Sequence, residues 1–238
     1  MRWILALLVF LISLPVVAQQ TVINDGNAVK RDVAAFTGIK VSGAFSVYLS
    51  QSDNYSLAVS ASDTSIINDI KTEVKDNVLH IYVDNFHWKR HWHNVQMRVY
   101  ISFKTLESID VSGACGILLD GTVNATTMLV RLSGASTIEG NIKAGTLSFE
   151  LSGASVSKVA GDAENIKIDA SGASDIKNYD LKTQNCVAKL SGASDARLSI
   201  SNSLVVSASG ASTLFYDGNP EKRSIEKSGA SSVLQKGN

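Results

Sequence analysis

Along most of this chain the apolar residues fall on every second position, and the alternation restarts at a fixed interval. Ser-Gly-Ala recurs at Ser112, Ser133, Ser152, Ser171, Ser191, Ser209 and Ser228, at successive intervals of 21, 19, 19, 20, 18 and 19 residues. Numbered from each Ser, position −5 holds Met128, Leu147, Ile166, Cys186 and Leu204. Position −3 holds Ile109, Val130, Phe149, Ile168, Ala188, Val206 and Ile225. Position −1 holds Val111, Leu132, Leu151, Ala170, Leu190 and Ala208, until Lys227 breaks the row. The intervening −2 position is polar: Asp110, Arg131, Glu150, Asp169, Lys189, Ser207 and Glu226. A period of two with one apolar side predicts a half-buried strand before each motif. Gly at +1 suits a bend that ends the strand, through unusual dihedrals or close backbone approach. The small Ala at +2 suits a tight corner.

One such strand cannot bury its apolar face alone, whereas stacked copies can. Repetition in one direction, about 19 residues per turn, predicts an all-β chain wound as a β-solenoid, each coil pairing with its neighbours at about 4.8 Å. An antiparallel sandwich would not keep one motif on one side of every strand. Equivalent residues then form ladders: Ser136, Ser155, Ser174, Ser194, Ser212 and Ser231 at +3, with Cys115 in the first place. The −2 row Arg131, Glu150, Asp169, Lys189 reads as charge-compensated neighbours. No segment sustains a capped 3.6-residue pattern, so helix is expected to be close to absent.

Residues 31–104 alternate less regularly. Strands are expected around Ser42-Gly43-Ala44, an eighth copy of the motif, and at 57–61, 78–83 and 95–101, with a turn at Asp76-Asn77. The 70 residues between Ser42 and Ser112 suggest degenerate or interrupted coils between the two motifs, in a β-region covering the first end of the solenoid. The organisation expected is therefore a signal peptide at 1–18, a linker at 19–30, an N-terminal β-region at 31–104 continuous with the solenoid, and the tandem block at 105–238.

The signal peptide rests on Met1-Arg2, the apolar run Trp3 to Leu14, and Val16 and Ala18 placed for cleavage before Gln19. Export is implied, to the periplasm, the outer surface or the medium, with no transmembrane segment in the mature chain. The 238 residues carry 22 basic and 22 acidic side chains, and removing Arg2 with the leader leaves a net charge of −1. That balance offers no electrostatic footprint for nucleic acid. Of two cysteines, Cys115 falls at +3 of the first tandem repeat and Cys186 at −5 of the fifth. Three to four coil steps of about 4.8 Å separate them, beyond the roughly 7 Å a disulfide spans, so two reduced thiols are expected.

The stretch from Arg31 to Val47 (RDVAAFTGIKVSGAFSV), the segment from Thr105 to Ala114 (TLESIDVSGA) and the tandem SGAS copies together resemble the putative auto-transporter adhesin, head GIN domain family. The resemblance covers roughly residues 31–218. It implies a right-handed parallel β-helix-like fold and the cell envelope of a Gram-negative bacterium, and it carries no catalytic motif or cofactor.

Chemistry concentrates in one segment, Phe86-His87-Trp88-Lys89-Arg90-His91-Trp92-His93. Exposed aromatics among basic residues are typical binding anchors, so Trp88 and Trp92, with His87, Lys89, Arg90 and His91 around them, are the candidate contacts for a glycan or cell-surface protein. A loop folded back on the domain accounts for the same residues. His87, His91 and His93, with Asp84 nearby, are weak metal candidates, because zinc needs three or four ligands at fixed spacing. Asp175 and Asp195 share position +4 in successive coils and would approach within about 5–6 Å, a separation reminiscent of retaining glycosidases. A non-enzymatic binding module is the leading expectation. A polysaccharide-acting enzyme using the stacked carboxylates, or a purely structural envelope module, stands behind it.

Overall fold

A computed structural model describes residues 25–84 and 95–236. The first strands are short: β1 (Val29–Arg31), β2 (Gly38–Gly43), β3 (Phe45–Gln51), β4 (Ser56–Ala61), β5 (Ile70–Lys75), β6 (Val78–Val83), β7 (Met97–Phe103) and β8 (Ser108–Gly113). Long strands follow: β9 (Gly116–Leu132), β10 (Thr137–Leu151), β11 (Val156–Ala170), β12 (Asp175–Leu190) and β13 (Asp195–Ala208). The last three are β14 (Thr213–Asp217), β15 (Lys222–Lys227) and β16 (Ser232–Gln235). The only helical turn among the described residues is a 3-10 turn at Thr64–Ile66. The molecule is a β-solenoid: β9 to β13 each run from one Ser-Gly-Ala corner to the next and pair in parallel with the following coil.

The inward positions read from the sequence form the core. Met128, Leu147, Ile166, Cys186 and Leu204 stack at −5, each at most 1% exposed. The corners explain the motif atom by atom. Gly192, at φ +71°, would place a Cβ 2.6 Å from the Gly172 carbonyl oxygen, closer than any side chain tolerates, so stacking excludes all residues but Gly. The next N–H, of Ala193, donates to that same oxygen at 2.8 Å. Ser at +3 is fully buried and turns its hydroxyl back to the Ser that opens the motif, as Ser174 does to the Ser171 carbonyl at 2.7 Å. Cys115 takes this place in the first coil, its Sγ 3.5 Å from the Ser112 carbonyl. Both cysteines are free and buried. The Ala at +2 differs from expectation: Ala114, Ala135 and Ala154 are exposed, so packing against a neighbour does not set their size.

One coil carries an extra residue. Between Ser171 and Ser191 the interval is 20 residues, and the register of β11 with β12 shifts after Ser157. The shift leaves the Val159 N–H without a ladder partner. The buried Asn178 amide oxygen accepts from it at 2.9 Å and from the Ser157 hydroxyl at 3.1 Å, so a side chain satisfies a buried donor the backbone cannot reach.

The expectation of degenerate coils between Ser42 and Ser112 is corrected by the strand order. Ser42 pairs directly with Ser112 and Gly43 with Gly113, so the two motifs occupy adjacent coils. The intervening chain instead folds back outside: β6 pairs in parallel with β2, and β7 with β3. Antiparallel strands then close this end, β5 on β6 through the Asp76-Asn77 turn (φ +51° and +60°), β4 on β7, and β1 on β4. Arg31 fastens the closure, its guanidinium donating to the Ile67 and Ile70 carbonyls at 2.7 and 2.6 Å.

Candidate functional site

The coil formed by β6 and β7 differs from its neighbours at one place. Where the β2–β3 coil turns through Gly43-Ala44, residues 84–96 connect β6 to β7. Trp88, Trp92, His87, Lys89, Arg90, His91 and His93 fall within this connection and lie outside the described residues. Asp84, the nearest carboxylate, follows β6, its N–H donating to the Asp69 carbonyl at 3.0 Å.

Asp175 and Asp195 do stand opposite each other in neighbouring coils. The Asp175 carboxylate is held by Arg197 at 2.8 Å and Lys177 at 3.0 Å, and two cations around one carboxylate leave a solvated ion cluster. In the −2 row Arg131 grips Glu150 at 2.6 Å, whereas Asp169 and Lys189 are adjacent in register without an ion pair.

At the N-terminal end Tyr48 and Tyr100 stack with ring centroids 5.0 Å apart. The Tyr100 hydroxyl donates to Asp25 at 2.9 Å. Burial and then that bond push its pKa up to about 12. The interaction ties the chain before β1 to the sheet and leaves the hydroxyl committed.

A different surface runs the length of the stack. Two adjoining cavities of about 740 and 860 Å³ share Lys143, Ala144 and Glu164 and form a groove across the middle of the long strands. Three parallel rows build it. One bank is Asn124, Lys143, Asp162, Lys182, Ser199 and Asp217, each in register with the next. The floor is the following position in each coil: Ala125, Ala144, Ala163, Thr183 and Ile200. The opposite bank is one residue further on, with Thr126, Glu164, Gln184 and Ser201 lining the cavities. The floor is recessed because its side chains take the inward phase of the alternation, and it stays open because the first three are alanines. Beside the second bank Asn202 donates to Asn185 at 2.8 Å and Asn185 to Asn165 at 3.1 Å, an amide ladder that fixes this edge. The groove was missed in the sequence because its banks share position and not residue type. The signal available was Ala125, Ala144 and Ala163 at 19-residue spacing outside the Ser-Gly-Ala motif.

The family model for the putative auto-transporter adhesin, head GIN domain, matches residues 35–220. The chain belongs to that family. Solved structures share its fold. A putative adhesin from Bacteroides fragilis NCTC 9343 superposes with a TM-score of 0.78 at 20% identity, covering 89% of this chain and 98% of its own. A putative adhesin from Parabacteroides distasonis ATCC 8503 gives 0.72 at 19% identity over 87% of this chain and 95% of its own. A putative lipid binding protein from the same organism gives 0.63 at 19% identity over 89% and 97%. No curated protein matches the chain. Family membership makes an adhesin-like module of this head GIN domain. Among its described residues no helix is long and apolar enough to cross a membrane, and no three His, Cys, Asp or Glu side chains cluster as metal ligands.

Proposed function

We propose that this head GIN domain is a non-enzymatic binding module, exported by the leader at 1–18 to the periplasm, outer surface or medium, that engages a glycan or a cell-surface protein through the segment 86–93. The observation that supports it is positional. The corners described along the stack are built from Gly and small residues, and the β6–β7 connection alone spends its length on two Trp, three His, a Lys and an Arg. A rigid stack that carries one loop of aromatic and basic residues matches the usual division between scaffold and contact surface. The stacked carboxylates support an enzyme less well, because Arg197 and Lys177 already occupy Asp175.

The test is binding of the full chain to a glycan array and to envelope-protein extracts. Trp88→Ala combined with Trp92→Ala abolishes retention if the segment is the contact, and unchanged retention refutes the assignment. Asp175→Asn with Asp195→Asn leaves binding intact.

A further inference from the structure

The groove goes beyond that reading, being a separate surface reached midway between corners. We propose that it binds a neutral, straight β-1,4-linked polysaccharide lying parallel to the solenoid axis, one sugar ring per coil.

The first ground is periodicity. Successive coils rise by about 4.8 Å, close to the length of one pyranose in an extended β-1,4 chain. Six rungs, Asn124 to Asp217, span about 24 Å at that rise, the reach of a hexasaccharide. The second ground is chemistry. Lys143, Asp162 and Lys182 on one bank and Glu164 and Gln184 on the other are exposed and make no hydrogen bond or ion pair with other described residues. They offer donors and acceptors alternately, as hydroxyls that both give and accept require. Their charges balance, two Lys against Asp162 and Glu164, while Asp217 at the end is held by Lys236 at 3.2 Å. A strongly anionic polymer would meet as much repulsion as attraction. The third ground is shape. Ala125, Ala144 and Ala163 give successive rungs a methyl floor on which the C–H face of a ring can rest, and the amide ladder holds the adjoining edge in place beforehand, which lowers the ordering cost of binding. An extended peptide finds no equivalent purchase, since the strands beneath the groove are paired coil to coil and expose no edge for strand addition.

Calorimetric titration of the full chain with cellohexaose and β-1,4-mannohexaose tests the assignment, with maltohexaose, which curves, and hexagalacturonate, which is anionic, alongside. At least one straight neutral hexasaccharide binds with Kd below about 1 mM, and its trisaccharide binds about tenfold more weakly. Lys143→Ala with Glu164→Ala and Gln184→Ala weakens the hexasaccharide by about tenfold or more at an unchanged melting temperature, all three side chains being exposed. Trp88→Ala with Trp92→Ala leaves it unaltered. Absence of heat with both straight hexasaccharides, tighter binding of maltohexaose or hexagalacturonate, or an affinity indifferent to the triple substitution overturns the proposal. Loss only in the double Trp variant assigns the binding to segment 86–93 instead.

Discussion

The two ends of the stack meet one problem, an exposed core and an unpaired sheet edge, and solve it differently. At the N-terminal end the chain doubles back, so that β4 and β5 cap β7 and β6 with antiparallel strands and Leu57, Val59, Ile70, Leu79 and Ile81 are all at most 1% exposed. At the other end nothing described covers β15 and β16, and every residue of β15 is exposed. There the inward phase itself turns polar: Arg223 sits in register with Leu204, and Lys227 with Ala208. Gln235 sits in register with Tyr216 and donates to the Gly218 carbonyl at 2.8 Å. Charges pointing inward on an edge strand are a known guard against edge-to-edge pairing. One end is closed by burial, the other by making further stacking unfavourable.

Core truncation breaks the comparison most severely. Leu79→Ala, under the antiparallel cover, costs about 2–5 kcal/mol. Leu234→Ala, at a side chain 48% exposed, costs under about 0.5 kcal/mol. Urea unfolding of both variants separates the cases, and equal losses would deny that the ends differ. The corners come next. Gly172→Ala, with φ +72° and a Cβ 2.6 Å from the Gly153 carbonyl oxygen, meets a backbone held by coils on both sides. Gly229→Ala, with φ +69° and 2.9 Å to the Gly210 oxygen, lies in the last corner. The first loses about 3 kcal/mol or more and the second about 1–2, the cost of left-handed backbone alone.

The cysteines sharpen the same gradient. Cys186→Ser puts a hydroxyl into the apolar −5 row and costs about 1–3 kcal/mol, whereas Cys115→Ser restores the corner ladder at almost no cost. Burial raises the Cys186 thiol from the ordinary 9.0 to about 12. Stability present below pH 9.0 is therefore lost as pH rises from 9.0 towards 12, because the unfolded chain sheds this proton first. The slope from one such thiol is at most about 1.4 kcal/mol per pH unit. Cys186→Ala shallows the decline measured between pH 9 and 10, and an unchanged decline counts against a buried thiol. The smallest effect on folding is at the charged end. Arg223→Leu with Lys227→Val changes the melting temperature little, yet raises the mass seen by light scattering as concentration increases. A mass independent of concentration would mean that these charges guard nothing.

The tandem coils were legible because every one repeats the same inward row, corner Gly and buried Ser at nearly constant spacing, so local alternation and global stacking agree. The order of the first coils was not, since the pairing of Ser42 with Ser112 and of Gly38 with Val78 leaves no mark in either local pattern. Asn178 was hidden for the opposite reason: an inward Asn looks like a lapse in the apolar row until the register shift it repairs is visible. The aromatic-basic segment was conspicuous in composition, while the groove, whose banks keep position and vary chemistry, was visible only through three alanines.

The central claim is that the Ser42 coil lies directly against the Ser112 coil, making one continuous stack from a chain that folds back. Ala44 and Ala114 are both exposed at these corners, and the Ala114 N–H donates to the Gly43 carbonyl at 2.8 Å. In a Cys115→Ser background, Ala44→Cys with Ala114→Cys is one coil step apart, about 4.8 Å, and closes an intramolecular disulfide on mild oxidation. Ala44→Cys with Ala135→Cys is two steps apart, about 9.6 Å, beyond disulfide reach. Mass analysis under non-reducing conditions is predicted to find the bridge in the first pair alone; its absence there, or equal bridging in both, would contradict the fold-back stack.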